Sequence, residues 1–133
     1  MAPGSAPSSP SDGSFWVTSA GAFVRVNGVT YQFTGRQARS NRVVTASGDI
    51  NVTTSDDVVT VNKTTGQATT VNLPGSPSNG EQYTIVDGRG DANTNFITLV
   101  PASGLIIGQA SARIPGAYGS LTVMYNGSAW SIL

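Results

Sequence analysis

Apolar and polar residues alternate along this chain in short runs, and each run is closed by Gly, Asn, Asp, Ser or Pro. Alternation with period two puts one set of side chains on each face of a strand. On that basis Ile50 shares a face with Val52, Val59 with Val61, Val71 with Leu73, and Tyr83 with Ile85. The same holds for Ile97 with Leu99, for Leu121 with Val123 and Tyr125, and for Trp130 with Ile132. No segment repeats apolar residues at i, i+3, i+4 and i+7, so little helix is expected. Ala22-Phe23-Val24-Arg25-Val26, Asn27-Gly28 and Val29-Thr30-Tyr31-Gln32-Phe33 spell a hairpin with a type I′ turn. Asn126-Gly127 marks a second turn before Ala129-Trp130-Ser131-Ile132-Leu133.

These elements predict an all-β protein: an antiparallel β-sandwich, jelly-roll-like, preceded by a β-hairpin and an extended N-terminal arm. Residues 1–14, rich in Pro, Ser and Gly, form the arm. Residues 15–41 form an aromatic hairpin with its linker, and residues 42–133 the sandwich. A lone hairpin is marginally stable in water, so Phe15, Trp16, Phe23, Tyr31 and Phe33 are expected to pack on another surface. Arg36 and Arg39 in the linker, with Arg42 beyond it, are placed to clamp a partner's carboxylates. Val43-Val44, Val58-Val59, Leu105-Ile106-Ile107 and Val123-Met124 are apolar on both faces, which suits burial between subunits and equally a central strand of a single domain.

Composition narrows the chemistry. Of 133 residues, 38% are hydrophobic and 11% charged, and seven basic side chains balance seven acidic ones. A chain without net charge is not built to neutralise phosphates, so no nucleic acid is expected as partner. There is no Cys and no His, which removes thiolate and Ser-His nucleophiles and the commonest metal ligand. Paired carboxylates such as Asp56-Asp57 are what glycoside hydrolysis would need, but adjacent strand residues face opposite ways. No catalytic residue, metal or cofactor is expected. Asp91, Asn93 and Asn95 match the start of a calcium loop, yet Phe96 and Ala102 stand where Gly and Glu belong. Arg89-Gly90-Asp91 spells a known adhesion tripeptide, and the whole Asp87–Asn95 stretch reads as a Gly/Asn-rich hairpin loop. The first residues show neither a basic nor an apolar leader, and no apolar run reaches the ~20 residues of a spanning helix. Synthesis in the cytoplasm without a signal peptide, and no membrane partner, are therefore expected.

Several stretches carry a resemblance. They are Val59-Thr60-Val61-Asn62-Lys63, Ala68-Thr69-Thr70-Val71-Asn72-Leu73-Pro74 and Tyr83-Thr84-Ile85-Val86-Asp87-Gly88. Further on come Ile97-Thr98-Leu99-Val100-Pro101, Tyr118-Gly119-Ser120-Leu121-Thr122-Val123 and the ending Tyr125-Asn126-Gly127-Ser128-Ala129-Trp130-Ser131. From Arg42 to Leu133 this wording resembles a β-rich module of tailed-phage and prophage fibres and head-decoration proteins. The resemblance implies a virion surface protein made in a host cytoplasm: a short head fibre, spike or capsid decoration. It implies a homotrimer docked on capsid, neck or tail protein through residues 1–41, with the sandwich exposed. A tail-fibre-type receptor or carbohydrate-binding module is the alternative. Sugar rings stack on exposed aromatics, so Tyr118, Tyr125 and Trp130 are the candidate glycan contacts.

Overall fold

The computed structural model of the chain describes residues 4–33 and 38–133. It divides into two compact units, residues 1–38 and 39–133. All regular elements among the described residues are strands, in agreement with the all-β expectation.

The first unit is a three-stranded antiparallel sheet of β1 (Phe15–Thr18), β2 (Gly21–Val26) and β3 (Val29–Phe33). Its β2–β3 turn has Asn27 at φ 49° and Gly28 at φ 77°, the two positive angles that a type I′ turn demands. The predicted hairpin thus gains a third strand, β1, with Phe15 opposite Val24 and Trp16 opposite Phe23. The arm bonds back to this sheet. Gly4 N–H donates to Val17 O (3.1 Å), Gly13 N–H to Arg25 O (2.8 Å), and Asp12 Oδ1 accepts the Gly28 N–H (2.8 Å).

The second unit is a two-layer body. One layer runs in the order β12, β11, β8, β6, β4 and contains β4 (Asn41–Val44), β6 (Val58–Val61), β8 (Gln82–Asp87), β11 (Ser120–Tyr125) and β12 (Trp130–Ile132). The other runs β10, β9, β7, β5, with β5 (Ile50–Asn51), β7 (Thr69–Leu73), β9 (Ile97–Pro101) and β10 (Ala112–Arg113). From β4 to β9 each successive strand lies in the opposite layer, so the chain winds as a flattened coil. Strands of successive turns therefore pair in parallel: β4 with β6, β6 with β8, β5 with β7, and β7 with β9. Only then does the chain reverse. β10 pairs antiparallel with β9, β11 with β8, and β12 with β11, closing the C-terminal end.

The two-layer β architecture matches the expected sandwich, while the expected antiparallel pairing holds only for the first sheet and the closing strands. The central ladders are parallel. The physical reason is that turn residues such as Ser47-Gly48 and Thr65-Gly66 carry the chain across to the other layer instead of folding it back on itself. Parallel neighbours need a long crossover, and here each crossover contains a strand of the opposite layer. For the same reason the Asp87–Asn95 segment, expected as a hairpin loop, is a crossover from β8 to β9.

Alternation selects the core as predicted. Val59, Ile85 and Val123 from one layer meet Ile50, Val71 and Leu99 from the other, all buried. Leu121, Tyr125 and Ile132 pack against them partly buried. Trp130, 1% exposed, lies 5.2 Å from the Tyr125 ring and 5.9 Å from Tyr83, and donates its Nε1–H to Ser103 O. The outward faces carry polar ladders instead: Thr60 Oγ1 to Asn41 Oδ1 (2.8 Å), Thr84 to Thr122 (3.0 Å) and Asn72 Nδ2 to Asn51 Oδ1 (3.0 Å).

Three charged residues continue the inward phase of their strands, and each finds its hydrogen-bond partners locally, Arg42 alone in an ion pair. Arg42 forks onto both oxygens of Asp56 (2.9 and 2.8 Å) and donates to Asn51 O. Lys63, two residues beyond Val61, donates to Gly48 O and, with the Gln67 amide oxygen turned toward it, to Gln67. Asp87, two beyond Ile85, is taken up below. An inward charge on an edge strand such as β4 also discourages stray pairing.

Candidate functional site

Three surfaces present chemistry to a partner. The first is one face of the N-terminal sheet. Directly opposed residues share a face, and the registers Phe15–Val24–Tyr31, Val17–Ala22–Phe33 and Val26–Val29 put eight apolar side chains on one side. Phe15 is 60% exposed, Tyr31 54% and Phe33 58%. The opposite side carries Trp16 stacked on Phe23, with ring centroids at 5.6 Å, together with Thr18, Arg25, Thr30 and Gln32. Arg25 there approaches Asp12 at 3.8 Å.

The second is a rigid loop under an exposed tyrosine. Buried Asp87, 1% exposed, accepts three backbone N–H bonds: Gly90 on Oδ1 (2.8 Å), and Ala92 (3.0 Å) and Tyr118 (3.1 Å) on Oδ2. It ties the β8–β9 crossover to the turn before β11. Tyr118 sits in the left-handed region at φ 55° with its side chain 74% exposed, a conformation unusual for an aromatic residue. Its ring lies on the bare backbone of Gly90, where an added Cβ would fall 2.2 Å from it. Beside it Arg89 reaches Asp91 Oδ2 (2.9 Å) and the carbonyls of Lys63 and Thr64, while Asn95 Nδ2 donates to Asp91 Oδ2 (2.8 Å). The result is an aromatic plate with one face supported and a polar, internally bonded flank. Asp91 and Asn95, two of the calcium-loop positions, thus spend their polar atoms on each other and on Arg89. No described group of acidic residues is arranged to hold a metal ion.

The third is a cleft of about 440 Å³ in the second unit, lined by Arg39, Thr54, Asp56, Asp57, Glu81 and Tyr83 among others. Burial pushes the Asp56 carboxyl upward, but the Arg42 and Thr53 hydrogen bonds and the Arg42 charge outweigh it and hold it below its ordinary value. Bonds from the Ser40 backbone and hydroxyl likewise hold Asp57 low. Tyr83 is pushed up, first by burial and then by its bond to Glu81 Oε2 (2.8 Å). Both aspartates are thus strongly ionised near neutrality, whereas a general acid needs a raised carboxyl.

The sequence-predicted contact residues therefore separate. Phe15, Tyr31 and Phe33 share the apolar face, while Trp16 and Phe23 point the other way. Arg39 lies in the second unit, donating to Asp57 O (3.2 Å) and Thr84 Oγ1 (3.5 Å). Arg36 is outside the described residues. Of the glycan candidates, Trp130 is core, which corrects that assignment, and Tyr125 packs against it partly buried. Their alternation phase with Val123 and Ile132 turns them inward. Of the three, Tyr118 offers the most open ring. Sequence reasoning missed the role of Asp87, although its spacing from Tyr83 and Ile85 places it on the inward face. A scan of family models finds no match to this chain, and a search of curated proteins finds no significant relative.

Proposed function

We propose that this chain is a structural protein of a virion surface, a short head fibre, spike or capsid decoration. It docks through residues 1–41 on a capsid, neck or tail protein, self-associates as a trimer, and exposes the β body to solvent. The observation that carries this reading is the contrast between its surfaces. The N-terminal sheet carries only apolar and aromatic side chains on one face, with Phe15, Tyr31 and Phe33 more than half exposed, whereas the outward face of the body is mixed, its Thr, Asn and Ser interrupted by Val43, Val58, Val86 and Met124. A sheet face without charge, whose one polar side-chain group is the Tyr31 hydroxyl, suits contact with protein, and the hydrogen-bonded Thr and Asn of the body suit water. The order of strand and turn motifs from Arg42 to Leu133, which resembles fibre and decoration modules, supplies the virion setting. The lowered carboxyls of Asp56 and Asp57 argue against either of these two as the general acid of a glycan cleavage. The test is a co-sedimentation of purified protein with particles lacking it. Binding by the full chain, abolished on deletion of residues 1–41, is the expected result; no binding by either form overturns it.

A second reading, a receptor or glycan-binding head, has one observation in its favour: the supported, open ring of Tyr118. Aromatic plates of this kind accept the C–H face of a sugar ring. A glycan array should give hits that Tyr118→Ala removes; an array without hits, or hits that the substitution leaves unchanged, eliminates it.

A further inference from the structure

The uncovered face of the N-terminal sheet can be matched to an occupant. We infer that Phe15, Val24, Tyr31 and Phe33 form a homotypic contact, packing against the same face of another copy of this chain. It rests on the self-association proposed above and adds to it a two-fold contact that pairs copies face to face, distinct from the contact that would close a trimer.

The argument starts from the three apolar rows, which occupy every position of that face. A sheet that is apolar on one face must bury that face against another layer, and sheets do so about 10 Å apart with their side chains interdigitated. The partner layer must itself be apolar. Among the described residues the body has no such plane. Its exposed large apolar residues, Val43, Phe96, Leu105, Ile107, Tyr118 and Leu133, are scattered over strands and loops. Phe96 is already covered by the Arg113 guanidinium, 4.4 Å above its ring. Among the described residues the plane that matches this sheet in size and polarity is the sheet itself. Charge points the same way. In a two-fold contact between identical faces the residues near the axis oppose their own kind, so an ionised group there would be repelled. This face has none, and Arg25 is kept on the other side.

The size of the face sets the strength. Three strands about 4.8 Å apart and five residues long at about 3.4 Å each cover on the order of 250 Å² in plan. With side-chain relief a pair of copies buries roughly 1,000 Å², below the 1,200–2,000 Å² of stable complexes. Association in the micromolar range is therefore expected, strengthened where several copies are held on one particle.

Sedimentation equilibrium of the full chain from about 1 to 200 µM tests this, alongside Tyr31→Thr/Phe33→Thr, which keeps strand-compatible residues on the contact face, and Arg25→Gln on the opposite one. The fluorescence of Trp16, stacked on Phe23 away from the contact, verifies that the sheet still forms. Concentration-dependent association weakened at least tenfold by the double substitution and unchanged by Arg25→Gln supports the contact. Association of equal strength in the double variant overturns it while leaving self-association standing on another surface. A parent chain that stays monomeric at 200 µM defeats both. If that monomer binds particles or lipid vesicles through Tyr31 and Phe33, the face belongs to a different partner and the homotypic contact is likewise overturned.

Discussion

Substituting Asp87 by Asn changes one atom in the best-bonded loop of the body, and the structure gives the cost. The carboxylate accepts N–H bonds from Gly90, Ala92 and Tyr118. Hydrogen bonds to a charged acceptor contribute about 1.5–3 kcal/mol each, against about 0.5–1.5 for neutral pairs. An Asn side chain can keep its oxygen toward Ala92 and Tyr118, downgrading two bonds. Its NH2 group then faces the Gly90 N–H, leaving that donor unpaired at a cost of about 1–3 kcal/mol. Gly90 lies nearer solvent and the ring above it can shift, so the sum relaxes to a loss of about 2–4 kcal/mol, a large share of a typical 5–15. Urea denaturation followed by Trp130 fluorescence, in a Trp16→Phe background so that one unit is read, measures this. Asp91→Asn is the control, since its partners Arg89 and Asn95 hold it near the surface; it should cost under about 1 kcal/mol. Amide exchange at Gly90, Ala92 and Tyr118 should accelerate in the Asp87 variant alone. A midpoint shift equivalent to less than about 0.5 kcal/mol would refute the assignment of Asp87 as the tie between crossover and turn.

Three further outcomes follow from the same geometry. Asp56 has a folded-state pKa below its ordinary 3.8, so its pairing with Arg42 stabilises the fold fully above that value and is lost as pH falls below it; acid denaturation should lose part of its pH dependence in Asp56→Asn. Ile107 sits at φ 44°, side chain exposed, in the Ile107-Gly108 turn where Asn27-Gly28 shows the preferred residues; Ile107→Asn should raise stability by about 1 kcal/mol in a thermal melt. Trp130→Ala should cost about 3–5 kcal/mol, whereas Tyr118→Ala, whose ring is mostly in solvent, should leave the melting midpoint within experimental scatter.

Much of this fold was legible as faces and little of it as neighbours. Period two assigned Ile50, Val71, Leu99, Ile85, Val123 and Trp130 to the interior because burial acts on one side of each strand. It could not say that Val59 lies beside Ile85 in parallel, because the residues that make a tight turn also make a crossing between layers. Buried Ile114 escaped notice, and Ile106 stood out only as part of an apolar run, because both lie in irregular segments where periodicity carries no signal. At the surface, the aromatic content of the N-terminal hairpin was visible. Its division into an apolar face and a Trp16–Phe23 face required the register of β1, a strand whose residues showed no turn signal of the Asn-Gly kind. The Tyr118 plate depends on Gly90, twenty-eight residues away in sequence, and local pattern cannot join such positions.

A cryo-EM reconstruction of the assembled particle tests the central claim most directly. The account predicts copies of a two-layer β body projecting into solvent, with their N-terminal sheets packed apolar face to apolar face about 10 Å apart against a capsid, neck or tail protein. Density showing isolated copies, or bodies buried with the N-terminal sheets facing solvent, would contradict it.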